Sequence, residues 1–181
     1  MTDFENSVSK KAGLPPGTLV YIGKKKKTKP SLAVMDYNST DYKEIKIKNP
    51  DQLLDFKETE NVTWINVNGI NDAELVGKIG NDFNIHPLIL EDILNTKLRP
   101  TIEDHESCLF ISMKMLGLSK DQKTINSEQI SFILGQNWLL TFQERKGDVF
   151  NGLRERIEAG KGTIRSRKTD FLLYRLIDTV V

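Results

Sequence analysis

The chain has 181 residues, 38% of them apolar and 28% charged, with eight Phe, four Tyr and two Trp, enough to bury one domain core. That composition excludes a disordered chain, and the lone Cys108 excludes an internal disulfide scaffold and fits a reducing compartment. The net charge of +1 conceals a sorting: residues 1–30 hold seven Lys against two acids, and residues 145–168 hold eight bases against three acids. What remains is strongly acidic, so basic segments suited to phosphate or lipid alternate with acidic ones suited to metal.

The amino terminus carries acids and no apolar stretch behind a basic one, so it does not read as a secretory signal. The longest apolar runs, at 32–35 and 171–174, fall far short of the roughly 18 residues that cross a bilayer.

Residues 1–13 are polar and expected to be loose, and Gly13-Leu14-Pro15-Pro16-Gly17 reads as a rigid turn rather than helix. Short apolar runs at 19–22, 32–37 and 42–47 predict strands. In the third, Ile45 and Ile47 alternate with Glu44, Lys46 and Lys48. Residues 62–69 predict another strand, after which Asn71-Asp72 supplies an N-cap for a helix carrying Leu75, Val76 and Ile79 on one face. A second, short helix begins at Pro87 and ends before Pro100. Strands are expected at 108–115, 129–134 and 138–142, the last two joined through Gly135-Gln136-Asn137. Two helices should follow, one from an Asp148 N-cap to Ala159, the other from about Thr169 with Leu172, Leu173, Leu176, Ile177 and Val180 as its stripe. The last helix ends on Val-Val with no Gly, basic turn or polar tail, so it reads as one that continues past residue 181.

Few residues offer chemistry. Gly160-Lys161-Gly162-Thr163 lacks the glycine and hydroxyl positions of a phosphate loop and reads as a helix exit followed by a basic loop. Lys24 to Lys27 could meet phosphate, yet no interleaved aromatics or nucleic-acid motif accompany them; a solvated hairpin tip is the plainer reading, and no nucleic-acid partner is expected. Glu103-Asp104-His105-Glu106 could hold a cation, but neighbours on a strand point to opposite faces. His86 reads as a capping residue and Cys108 as a buried thiol, because two His and one Cys are too few for a zinc centre. Adjacent Glu91 and Asp92 on the short helix offer hard oxygen donors suited to Mg2+, and Asp178 sits in an otherwise largely apolar stretch. By residue type alone, a solvated helix face accounts for all three more simply.

Several strings change that weighting. From Gly13 to Val181 the chain resembles the cytoplasmic amino-terminal part of CorA-type magnesium and cobalt transporters. The resemblance rests on Gly13 to Tyr21, Thr63-Trp64-Ile65-Asn66, His86-Pro87-Leu88-Ile89-Leu90-Glu91-Asp92-Ile93-Leu94 with Arg99-Pro100, and Phe142-Gln143-Glu144 leading through Gly147-Asp148-Val149-Phe150 to Arg154-Glu155-Arg156-Ile157. Asp170-Phe171-Leu172-Leu173-Tyr174 with Leu176-Ile177-Asp178 completes it.

The resemblance implies a non-enzymatic, divalent-cation-sensing domain of a homopentameric, channel-like transporter in the inner membrane, this segment lying on the cytoplasmic side. It implies metal ligands at Glu91, Asp92 and Asp178, shared between neighbouring protomers with a further carboxylate on a stalk helix, and Mg2+, with Co2+, as both regulatory and transported ion. The later carboxylate, the two membrane spans and the Gly-Met-Asn signature are not among these residues. The expected fold is α/β, a mixed sheet flanked by helices in an α/β/α sandwich: a flexible segment at 1–13, the domain at 14–166, and the start of a long stalk helix at 167–181. A zinc-transporting relative and a soluble metal-dependent phosphohydrolase using the same three acids are the competing readings.

Overall fold

The computed structural model describes residues 13–23, 29–118 and 123–181; the expected loose segment, apart from Gly13, and the lysine run at 24–27 lie outside them. One sheet of seven strands organises the fold: β1 (Ser31–Tyr37), β2 (Tyr42–Ile47), β3 (Val62–Asn68), β4 (Thr101–His105), β5 (Cys108–Leu118), β6 (Ile125–Leu134) and β7 (Trp138–Gln143). Their spatial order is β2-β1-β3-β7-β6-β5-β4. Every neighbouring pair is antiparallel except β3 and β7, which run parallel at the centre with Trp64 opposite Leu139.

The period-two pattern of the central strands sorts side chains into two cores. On one face Val34, Ile65, Val67, Phe110, Ile133, Leu140 and Phe142 pack against α1 (Ala73–Asp82) and α2 (Pro87–Leu94). On the other, Met35, Trp64, Ile130, Phe132 and Leu139 pack against α3 (Asn151–Glu158) and α4 (Thr169–Val180). Helices on both faces of a mixed sheet make the expected α/β/α sandwich.

Most elements lie where their residues place them. Asp72 accepts from the Leu75 N–H at 3.0 Å as the N-cap of α1. The β6–β7 turn closes with the Gly135 N–H donating to the Trp138 carbonyl. Gly160 and Gly162 leave α3 with φ of 61° and 73° before a short 3-10 turn at Ile164–Ser166.

Four expectations need correction. Residues 19–22 form no strand: Ile22 makes one isolated parallel bridge to Asn95, because its N–H and C=O serve the end of α2 instead of a sheet neighbour. Asp148 is not an N-cap, since Phe150 holds that position without a side-chain bond and Asp148 is committed to Arg154. Strands β5 and β6 pair as far as Leu118 and Ile125, beyond the apolar runs that marked them, since a backbone ladder continues without buried side chains. The 3-10 helix at Pro50–Phe56 was not anticipated; Asn49 caps it reciprocally with Gln52.

Helices α1 and α2 approach closely at Gly80. A Cβ there would come between 2.2 and 2.9 Å from three Leu90 side-chain atoms, and Leu90 is buried. Gly80→Ala is therefore expected to destabilise the protein by about 1–2 kcal/mol, whereas at an exposed helical site it would gain about 1 kcal/mol. Urea denaturation of the two proteins checks the sign.

Candidate metal centre

The carboxylates singled out above stand on α2 and α4. Helix α2 starts at Pro87, whose missing N–H costs nothing in a first turn, and His86 caps it by accepting from the Leu88 N–H at 3.3 Å through Nδ1. Ile89, Leu90, Ile93 and Leu94 are buried, worth about 1.5–3 kcal/mol each, which leaves Glu91 and Asp92 on the half-exposed flank. There Glu91 Oε2 accepts from the Gly17 N–H at 2.7 Å. Gly17 takes a φ of 81°, and a Cβ on it would sit 3.0 Å from the Pro87 Cβ, so only glycine lets this turn lie against the helix. Thr18 closes the same turn by donating its N–H and hydroxyl to the Pro15 carbonyl.

The other end of α2 is tied down by side chains from the sheet. Gln129 Nε2 donates to the carbonyls of Asp92 (3.2 Å) and Ile93 (3.3 Å), and the Ile22 N–H to that of Leu94 (2.8 Å). These bonds satisfy carbonyls that a helix terminus leaves open. Lys114 Nζ holds the Thr96 carbonyl at 2.8 Å and Gln129 Oε1 at 3.2 Å, while Glu144 Oε1 accepts from the Gln129 N–H.

This network contains charged groups, partly buried at Lys114 and buried at Glu128. Burial lowers the Lys114 pKa despite the Glu144 charge, and burial with the Glu144 and Glu128 charges pushes Tyr21 up to about 12. Burial also raises Glu128, with Arg145 opposing across a 2.6 Å ion pair. The Gln129 amide and the Ile22 N–H, bonded to the last carbonyls of α2, hold the end of the helix on which Asp92 stands.

Asp178 lies on the exposed side of α4, 3.6 Å from Arg175, while Leu172, Leu173 and Leu176 anchor that helix in the opposite core. The sheet therefore separates Asp178 from Glu91 and Asp92. Among the described residues no three His, Cys, Asp or Glu side chains come together as a metal site would need. The acids at 103–106 do not converge either: Glu103 and His105 share one side of β4 at 3.3 Å, and Asp104 faces the other. Cys108 is a free, buried thiol whose pKa burial raises.

Residues 59–181 match the family described as CorA-like Mg2+ transporter protein. The chain belongs to the CorA family. It is 45% identical over 177 residues to the cobalt/magnesium transport protein CorA of Thermotoga maritima, a match covering 98% of this chain and 50% of the relative. The chain thus spans about half the length of that relative. In fold it is similar to the full-length CmaX protein (TM-score 0.67, 14% identity, 87% of this chain and 47% of that one). It is also similar to the soluble domain of CorA from Methanocaldococcus jannaschii (TM-score 0.58, 18% identity, 82% and 55%). The family is one of transporters, not of enzymes.

In this CorA-family domain the supporting residues escaped sequence reasoning more than the acids did. Gln129 in β6 and Glu144 just after β7 were visible as polar residues at the edge of apolar runs, where a buried amide or carboxylate needs a partner. Nothing in the sequence paired Gly17 with Glu91 across 74 residues.

Proposed function

We propose that the chain is the regulatory cytoplasmic domain of an inner-membrane Mg2+/Co2+ transporter that works as a homopentamer, with Glu91, Asp92 and Asp178 as cation ligands shared between neighbouring chains. The observation that carries this reading is the placement of the acids in opposite layers: the α2 pair and Asp178 cannot join one coordination shell within a chain, so a shared shell needs a second copy. Their oxygens suit a hard cation, and the name of the Thermotoga maritima relative supplies the ions. Residues 167–181 begin a long stalk helix in this reading, with residues 14–166 as the sensing body. Among the described residues no helix is long and apolar enough to cross a membrane, and this reading places the spans in another part of the transporter.

Carboxylates of two chains about 5 Å apart repel by about 3 kcal/mol at an effective dielectric of about 20. A divalent cation between them turns that repulsion into a bridge, so occupancy holds neighbours together and favours a closed pore, and depletion loosens them. In the full-length transporter reconstituted in vesicles, Asp92→Ala with Asp178→Ala is expected to raise the Mg2+ concentration for half-inhibition of flux at least about tenfold, which is about 1.4 kcal/mol of lost coupling. Unchanged inhibition rejects the assignment.

A further inference from the structure

Away from α2, where β1 begins and β2, β3 and β7 end, a cavity of about 510 Å3 opens among Lys29, Lys46, Lys48 and Lys146, with Ser31 and Ala33 in its wall. The register builds it. Ala33 stands opposite Lys46 on one side and Asn66 on the other, so Lys46, Lys48, Ser31 and Ala33 share a face of the sheet. Lys146 joins them from the loop after β7, next to Gly147, whose φ is 95°.

These lysines differ from Lys78, Lys57 and Lys114, which have partners. Lys78 bonds Asp51 and Asp82, Lys57 donates to the Asp82 carbonyl, and Lys114 is held at the root of α2. Among the described residues none of the four around the cavity is paired with a carboxylate, and no acid lines it. Ammonium groups around a concavity focus a positive potential into it and repel one another until an anion enters.

Ala33 also borders a second cavity of about 320 Å3 lined by Asn66, Asn68, Glu44 and the Asp148–Arg154 ion pair, so its acids keep the phosphate end of a ligand on the lysine side. Asn68 Oδ1 is buried there without a hydrogen-bond partner, and so are both side-chain amide atoms of Gln143, its neighbour across the β3–β7 ladder. Lysines around one cavity and the unsatisfied Asn68 oxygen in the wall of its neighbour match a ligand with phosphate at one end and hydroxyl or amine groups at the other.

We propose that this groove binds a phosphate-bearing anion, its phosphate on Lys46, Lys48 and Lys146 and its polar remainder toward Asn68. The site is separate from the acids of α2 and α4 and needs no second copy of the chain. Calorimetric titration of the 181-residue chain with inorganic triphosphate, and then with ATP, in magnesium-free buffer is expected to show saturable binding. Lys46→Gln with Lys146→Gln weakens it at least about tenfold, while Lys161→Gln, an exposed lysine beyond α3, leaves it unchanged. Circular dichroism verifies that the variants fold; Lys48→Gln, expected to weaken binding at least about threefold, replaces a double variant that does not.

Sedimentation with phosphatidylcholine vesicles, with and without phosphatidylglycerol, separates the two sources of phosphate. Triphosphate binding without sedimentation assigns the groove to a soluble anion. Sedimentation that needs phosphatidylglycerol and is lost in the double variant, without triphosphate binding, assigns it to a lipid headgroup. Binding of neither probe overturns the proposal, as does a loss in Lys161→Gln equal to that in the double variant.

Discussion

Trp64→Ala is expected to lower the free energy of unfolding by about 3–5 kcal/mol, the range for removing a buried aromatic from a packed core. Trp64 is 1% exposed on the central strand β3, and its Nε1 donates to Thr141 Oγ1 on β7 at 3.0 Å. Phe150 meets its ring edge-on at a centroid distance of 5.8 Å, and the Arg154 guanidinium lies over it at 4.9 Å. One substitution thus removes a bond across the parallel seam and the surface on which α3 docks. Trp64→Phe keeps part of the volume and should cost about half as much. Chemical denaturation reads both, and a loss below about 1 kcal/mol for the alanine variant would show that the site collapses around the void.

The second large effect is expected at Arg154. Its Nη1 and Nη2 each reach one oxygen of Asp148 at 2.6 Å, and the Asp148 side chain is only 5% exposed. Burial by itself would raise the Asp148 carboxyl pKa, but Arg154, the Phe150 N–H and the Asn66 amide outweigh it and bring it below the usual carboxylate range. Arg154→Ala strands that charge and should cost about 3 kcal/mol at neutral pH. The sign of the pH dependence follows from the lowered pKa. The Asp148 contribution is fully present above the unfolded value of about 3.9 and is lost as pH falls through the lower folded value. Unfolding curves from pH 7 to pH 2 should therefore converge for wild type and Arg154→Ala; a gap that stayed constant would remove Asp148 from the explanation.

Strand alternation and helix stripes made most of the fold legible: Ile45 and Ile47, or Leu172, Leu173 and Leu176, can be buried only as they are. Local capping was legible at Asp72 and misleading at Asp148, because that aspartate accepts from the Phe150 N–H just ahead of the helix and from Arg154 six residues on, and sequence spacing does not separate such a pairing from an N-cap. The 3-10 helix at Pro50–Phe56 was missed because Leu53 is its sole buried residue and gives no stripe to read. For the candidate site, the acids were visible as types, and the resemblance selected them. Their division between the two faces of the sheet was not visible, since it depends on which helix packs on which face.

The parallel contact between β3 and β7 also bears on how the chain acquires its shape. Thr63 pairs with Trp138, so the central ladder joins segments about 75 residues apart, whereas the β1–β2, β4–β5, β5–β6 and β6–β7 ladders join strands consecutive in sequence and the β1–β3 ladder spans only β2 and the 3-10 helix. Two antiparallel units, β1 to β3 and β4 to β7, can each form early, but each leaves one long apolar edge bare until the other arrives. On the ribosome the first unit waits with one edge of β3, the edge that β7 later covers, bare until residue 143 has emerged. That interval is when a chaperone, or a second nascent chain, competes most directly for the strand that carries Trp64.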